Sequence, residues 1–237
     1  MKNKKKAIIL CSGGLDSVVT AHYVKNRLKY KKLIILFFNY GQRTVKQERY
    51  FSKKCAKNLN AEFEEAILPE LKKLSTSLLN SNVKAKTIKR NQLKNTSKES
   101  LKWYVPCRNL IFLSYALALA ESLYIKNKEK YGIFIGFKNE GKEFYPDATS
   151  KFIEQINNLQ KTVTNKGIKI IAPLINKDKE EIIKIGKKLD INFNETYSCY
   201  SGAKTNNIHC GYCLSCRLRK EGFYWSGIKD PTIYAKK

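Results

Sequence analysis

Two groups of residues in this 237-residue chain have the types and spacing to do chemistry. The first is Ser12-Gly13-Gly14-Leu15-Asp16-Ser17, set between an apolar run, Lys6 to Cys11, and a helical pattern from Asp16 to about Leu28. A turn joining a strand to a helix gathers backbone N–H groups and the positive helix end at one point, which suits an anion. The paired glycines let the backbone approach phosphate oxygens, Ser12 and Ser17 bring hydroxyls, and Asp16 can organise Mg²⁺ or a bound water. The loop has neither the lysine of a P-loop nor the G-x-G-x-x-G spacing of a dinucleotide fold.

The second group is Cys199, Cys210, Cys213 and Cys216. In a reducing compartment this spacing reads as a metal site before a disulfide framework. Four thiolates close a tetrahedral site, with Zn²⁺ the favoured occupant and an iron–sulfur cluster the alternative. No position is left for a reacting water, so the metal is expected to be structural. His209 beside them reads as a residue in solvent or outside the ligand set, and Cys11 and Cys55 as small buried apolar groups.

The elements that position these groups alternate. Leu33 to Phe38 is a continuous apolar run of the kind buried on both faces, followed by a helix over Thr44 to Asn60 and a third run over Phe63 to Leu68. After a polar stretch from Pro69 to Lys102, expected as a long loop or lid, come a helix over Asn109 to Tyr124 and a strand over Tyr131 to Gly136. A helix over Ala148 to Thr164, a strand over Ile168 to Ala172 and a helix over Asp178 to Leu189, capped by Asp178, complete the alternation. The class is α/β with a parallel sheet. We expect residues 1–196 to form the catalytic domain and 197–237 a cysteine-bearing segment and C-terminal tail packed on it.

The loop closely resembles the SGG-x-DS signature of the PP-loop ATP pyrophosphatases, a Rossmann-like fold of the adenine nucleotide alpha hydrolase type. With the C-x10-C-x2-C-x2-C segment, the chain resembles the QueC family, the 7-cyano-7-deazaguanine synthases of queuosine biosynthesis. Tyr40-Gly41-Gln42-Arg43, Val105-Pro106-Cys107-Arg108-Asn109, Tyr145-Pro146-Asp147, Pro173-Leu174 with Asp178-Lys179, and Cys199-Tyr200 before Gly202 are similar to further stretches of that family. The likeness extends over nearly the whole chain.

That resemblance implies an ATP-dependent carbon–nitrogen ligase. It would adenylate the carboxylate of 7-carboxy-7-deazaguanine, displace AMP with ammonia, and use a second ATP to reach the nitrile. It also implies ATP, Mg²⁺ and Zn²⁺ as cofactors, and ATP contacts from Ser12, Gly13, Gly14, Leu15, Asp16, Ser17, Tyr40 and Arg43. Asp16 and Arg108 are the implied catalytic residues, and Arg108, Asn109, Tyr145 and Asp147 the implied substrate contacts. The chain departs from the family at Cys107, where Gly or Asp is usual, at Asn139 to Phe144, and across Pro69 to Lys102. Those departures raise a second reading, a QueC-like paralogue of an anti-phage system that joins a deazaguanine acid to a protein amine. A tRNA-modifying PP-loop enzyme is a third.

The 46 Lys+Arg against 20 Asp+Glu, a net charge of +26, favour anionic ligands such as ATP. The lysines are spread along the chain rather than gathered in one stripe, so a dedicated nucleic-acid surface is not expected. The longest nearly unbroken apolar stretch, Leu110 to Ala120, is far short of the roughly 20 residues a membrane span needs. The basic start, Met1 to Lys6, runs into Ala7 to Cys11 without a secretory cleavage pattern, and a cytoplasmic protein is expected. A homodimer is compatible with the resemblance.

Overall fold

A computed structural model describes residues 5–83, 85–138, 145–164, 167–202 and 207–235. Five parallel strands stand in the order β3-β2-β1-β4-β5: β1 is Lys6–Leu10, β2 Lys32–Asn39, β3 Glu62–Ile67, β4 Tyr131–Ile135 and β5 Ile170–Ile171. Ile8 lies opposite Ile34 on one side and Ile133 on the other. The chain winds outward from β1 through β2 to β3, then returns to build β4 and β5 on the far side of β1. The order reverses beside β1, and ligands of open parallel sheets bind in the crevice at such a reversal, beyond the carboxyl ends of the strands.

The helices are α1 (Leu15–Asn26), α2 (Val45–Asn58), α3 (Glu70–Lys73), α4 (Ser97–Leu101), α5 (Arg108–Asn127), α6 (Ser150–Val163), α7 (Lys179–Lys188) and α8 (Leu214–Ser226). Both faces of the sheet are covered, which explains the unbroken apolar runs. On one face Ile8, Leu10, Ile34 and Leu36 pack with Leu113 and Ala116 of α5, and Cys199, Cys210, Cys213 and Cys216 belong to the same core. On the other, Ile9, Leu33, Ile35 and Phe134 meet α1, α7 and Phe223 of α8. Among the described residues no helix is long and apolar enough to cross a membrane.

Asp178 caps α7 as expected, in a reciprocal pairing with Glu181. The expected strand over Ile168 to Ala172 contracts to Ile170–Ile171 because it lies at the sheet edge, where Asn157 of α6 stands in for a further strand. Its Nδ2 donates to the Ile170 carbonyl at 2.8 Å and its Oδ1 accepts from the Ile170 amide at 3.0 Å.

The segment from Pro69 to Lys102 is not a free loop. It contains α3, a 3₁₀ turn over Arg90–Lys94, and α4, and it buries Leu71, Leu79, Ala85 and Ile88 in the core beside α5. Those four apolar anchors hold the strap, which leaves Leu74, Val83 and Leu101 exposed among its polar residues.

Cys107, immediately before α5, adopts φ +53°, a left-handed conformation costing a non-glycine residue about 1–2 kcal/mol. The side chain is exposed, so removing it forfeits little packing. Because glycine also gains entropy in the unfolded chain, Cys107→Gly is expected to stabilise by a net of about 0.5–1 kcal/mol, raising Tm by roughly 1–4 °C in a thermal melt. A lower Tm would mean that the strain is offset by contacts of the thiol.

Candidate active site

The Ser12–Ser17 loop leaves β1 at its carboxyl end and turns through Gly13 at φ +73°. A Cβ there would lie 2.7 Å from Phe51 Cβ, 2.8 Å from the Glu48 carbonyl and 2.8 Å from the Ser52 amide, so glycine is required by both backbone and space. The turn is held from two sides. Ser52 Oγ of α2 donates to the Cys11 carbonyl at 2.9 Å, and the Tyr197 amide donates to the Gly13 carbonyl at 2.8 Å. Gly14 is the N-cap of α1 and has no side chain to cap it, so the first-turn N–H groups are left for an anion. Across the crevice Gly136 follows β4, where a Cβ would come within 2.9 Å of Ser17 Cα.

These elements enclose a cavity of about 270 Å³. Ser12, Gly14, Leu15, Asp16 and Ser17 form one wall, and Tyr40, Arg108, Asn109 and Tyr145 also line it. Three further residues marked by the sequence do not. Gly13 makes the turn behind the loop. Arg43 donates from NH1 to the Val83 carbonyl at 2.8 Å, on the strap. Asp147 is buried behind α5, where its Oδ2 accepts from the Asn109 amide at 3.1 Å and its carbonyl accepts from Asn109 Nδ2 at 3.1 Å. Because Cys107 provides no side-chain cap, Asp147 supplies that function from a distant turn. The altered stretch Asn139 to Phe144 lies outside the described residues.

Arg108, the first residue of α5, donates from NH1 to the Tyr40 hydroxyl at 3.2 Å, its guanidinium 5.6 Å from the Tyr40 ring centre. Burial opposes its charge, but Tyr40, Tyr200 and Asp147 outweigh burial and raise its pKa, so it is a permanent cation. Burial pushes the Tyr40 hydroxyl up to about 12, keeping it neutral. A neutral hydroxyl and a fixed cation at one wall suit a carboxylate or phosphate on a ligand.

Three charged residues that line the cavity were given no role by the sequence. Lys179, the first residue of α7, is ion-paired with Asp16 Oδ2. Its only signal was its place in the Asp178-Lys179 pair. Lys179 is steadied by α8: a Cβ on Gly222 would meet Lys179 Cγ at 2.3 Å, so the absence of a side chain there lets the helices close. Glu48, one turn into α2, and Lys138, shortly after β4, are the other two.

Beside the cavity, the four cysteines converge. One sulfur from each lies within 4.8 Å of all the others, and every one of these residues is buried. Cys210 Sγ and Cys216 Sγ are 3.9 Å apart, close to the edge of about 3.8 Å that a tetrahedron with zinc–sulfur bonds of about 2.3 Å requires. The Cys210 amide donates to Cys199 Sγ and the Cys213 amide to Cys210 Sγ, both at 3.3 Å, which favours thiolates. The set fits a metal. His209 is buried rather than in solvent, and its Nε2 accepts from the Ser198 amide at 2.9 Å. Burial, then the charge of Arg219, push it down to about 3, keeping it a neutral acceptor.

A family model described as "Queuosine biosynthesis protein QueC" matches residues 6–227. A protein from Methanococcus aeolicus is 37% identical over 238 residues, covering 97% of this chain and 99% of that one. Another from Methanocaldococcus jannaschii is 39% identical over 236 residues, covering 97% and 99%. A third, from Methanobrevibacter smithii, is 35% identical over 235 residues, covering 97% and 98%. Each is named 7-cyano-7-deazaguanine synthase.

Proposed function

The chain belongs to the QueC family, and from that premise we propose that it converts 7-carboxy-7-deazaguanine, ammonia and ATP into 7-cyano-7-deazaguanine. The observation that carries this reading is that an uncapped phosphate-type loop and the Arg108–Tyr40 pair open into one cavity, so a nucleotide and an anionic co-substrate can meet there.

A carboxylate is a poor electrophile because its leaving group is poor. In the first stage a carboxylate oxygen attacks the α-phosphorus and pyrophosphate leaves. Ammonia then adds to the acyl carbon, AMP departs and a proton is lost, giving the amide. In the second stage the amide oxygen attacks the α-phosphorus of another ATP, pyrophosphate leaves and nitrogen gives up one proton; loss of AMP and of the second nitrogen proton then forms the C≡N bond. The backbone of Ser12 to Ser17 would hold the phosphates and Lys179 would neutralise charge developing on pyrophosphate. Arg108 would hold the carboxylate in line with the phosphorus, supported by Asn109 and Tyr145, with Asp147 fixing the start of α5. Tyr40 would border the nucleotide, and Arg43 would act indirectly, tying the strap to the end of β2 through the Val83 and Leu79 carbonyls. Mg²⁺, held by Asp16, would supply charge neutralisation at the phosphates.

The four thiolates would hold Zn²⁺, which gives residues 197–237 a fixed surface against the catalytic unit, residues 1–196. A cytoplasmic location suits soluble substrates of this kind. Neither a homodimer nor a protein amine acceptor is required by this scheme, and no structural observation favours the amide-forming or tRNA-modifying alternatives. The test is mass spectrometry of purified protein with ATP, Mg²⁺, 7-carboxy-7-deazaguanine and ammonium. The nitrile with two AMP per product is the expected result. A reaction that halts at the amide, or forms no AMP, overturns the reading.

A further inference from the structure

The proposed substrate has two chemically different ends. Its carboxylate must reach the loop at Ser12 to Ser17, whereas the far edge of a 7-deazaguanine is a 2-aminopyrimidinone, whose N1–H and exocyclic N–H point the same way as two parallel donors. The natural match for such a pair is one ionised carboxylate. Among the described residues, two carboxylates line the cavity, Asp16 and Glu48. Asp16 belongs to the phosphate loop and is engaged by Lys179.

Glu48 is a cavity-lining carboxylate held by its own helix and the turn before it. Its backbone abuts Gly13, which places α2 beside the loop. Thr44 Oγ1 donates to Oε1 at 2.6 Å and Gln42 Nε2 donates to Oε2 at 3.0 Å. Gln42 is itself fixed: its Oε1 accepts from the Tyr40 amide and its Nε2 also donates to the Phe38 carbonyl, both at 2.9 Å. The carboxylate is thus held in one orientation with one protein donor on each oxygen, and each oxygen keeps acceptor capacity. Burial raises the Glu48 pKa against the opposing effects of Thr44, Gln42 and Arg108. With one protein donor on each oxygen the carboxylate keeps room for two more, and a ligand that brings two would complete it and hold its charge.

We infer that Glu48 is the specificity-determining residue of the deazaguanine subsite, accepting the N1–H and the exocyclic N–H of the ring while Arg108 holds the carboxylate at the other end. This rests on the synthase reading above. It assigns the 2-amino group as the feature by which the enzyme tells a deazaguanine acid from its deazahypoxanthine counterpart.

The test compares 7-carboxy-7-deazaguanine with 7-carboxy-7-deazahypoxanthine, which lacks the 2-amino group, by AMP release. Wild-type protein is expected to prefer the former by roughly 10- to 100-fold in kcat/KM, the range for loss of a paired contact to a base edge. In Glu48→Gln, KM for the deazaguanine acid is expected to rise by roughly the same factor, KM for ATP to stay within about twofold, and the preference to fall to about threefold or less. A variant that retains the full preference overturns the assignment. Equal use of the two acids by wild-type protein also overturns it, whether or not the variant folds. Wild-type protein that releases no AMP with either acid instead overturns the synthase reading.

Discussion

Asp16→Ala is expected to lower AMP release by roughly 10²- to 10³-fold, the scale for removing one preorganised electrostatic partner of a transition state. Asp16 is placed for two tasks, pairing with Lys179 across the crevice and facing the cavity where nucleotide phosphates would lie. Alanine removes the anion but leaves Lys179 in place, so ATP binding should weaken less than turnover. The fold should hardly respond. Asp16 is a partly exposed residue in the first turn of α1, where an acidic side chain contributes about 0.3–1 kcal/mol through the helix dipole. Circular dichroism and Tm should therefore stay near wild type while activity collapses. AMP formation at an undiminished rate would sink the assignment of the loop.

Cys213→Ser acts on the other group of reactive residues, and its largest effect should be on metal content and stability. A structural zinc site in small peptides is worth about 10–16 kcal/mol of folding free energy, as much as the whole stability of a typical domain. Losing even a third of that, about 4 kcal/mol, would lower Tm by roughly 10 °C for a chain of this size. Cys213 is fully buried and is also the N-cap of α8, so its loss unsettles that helix at its start. Elemental analysis should find clearly less than one metal per chain. Full occupancy with an unchanged Tm would contradict a structural role for the cluster.

The strands, the glycine loop and the cysteine set were legible because each depends on local pattern: apolar runs buried on two faces, two adjacent glycines, fixed sulfur spacings. The cap at Asp178 was equally local, though its partner Glu181 emerged only in the structure. Other features depend on contacts that only the fold creates. Lys179 meets Asp16 across 163 positions, and Glu48 gains meaning only when α2 is laid beside Tyr40 and Arg108. The strap over Pro69 to Lys102 looked like a loop because its anchors, Leu71, Leu79, Ala85 and Ile88, follow no period. Helix α8 was missed because Gly222 interrupts its pattern, and that glycine is present for the close approach to Lys179.

The two hydrogen-bonded flanks of the Gly13 turn have a further consequence. One flank is Tyr197, whose amide holds the Gly13 carbonyl and whose ring stacks on Phe51, only two residues before Cys199 of the four-cysteine cluster. The other end of the cysteine segment runs directly into α8, which sets Lys179. The cysteine cluster therefore braces both the cradle and the lysine opposite it. With a metal in that cluster, as proposed above, a copy synthesised without it would lack a formed ATP site and would stand idle rather than hydrolyse ATP without product. In a cell short of that metal, the supply of the ion and not the abundance of the polypeptide would govern how much ATP this step consumes.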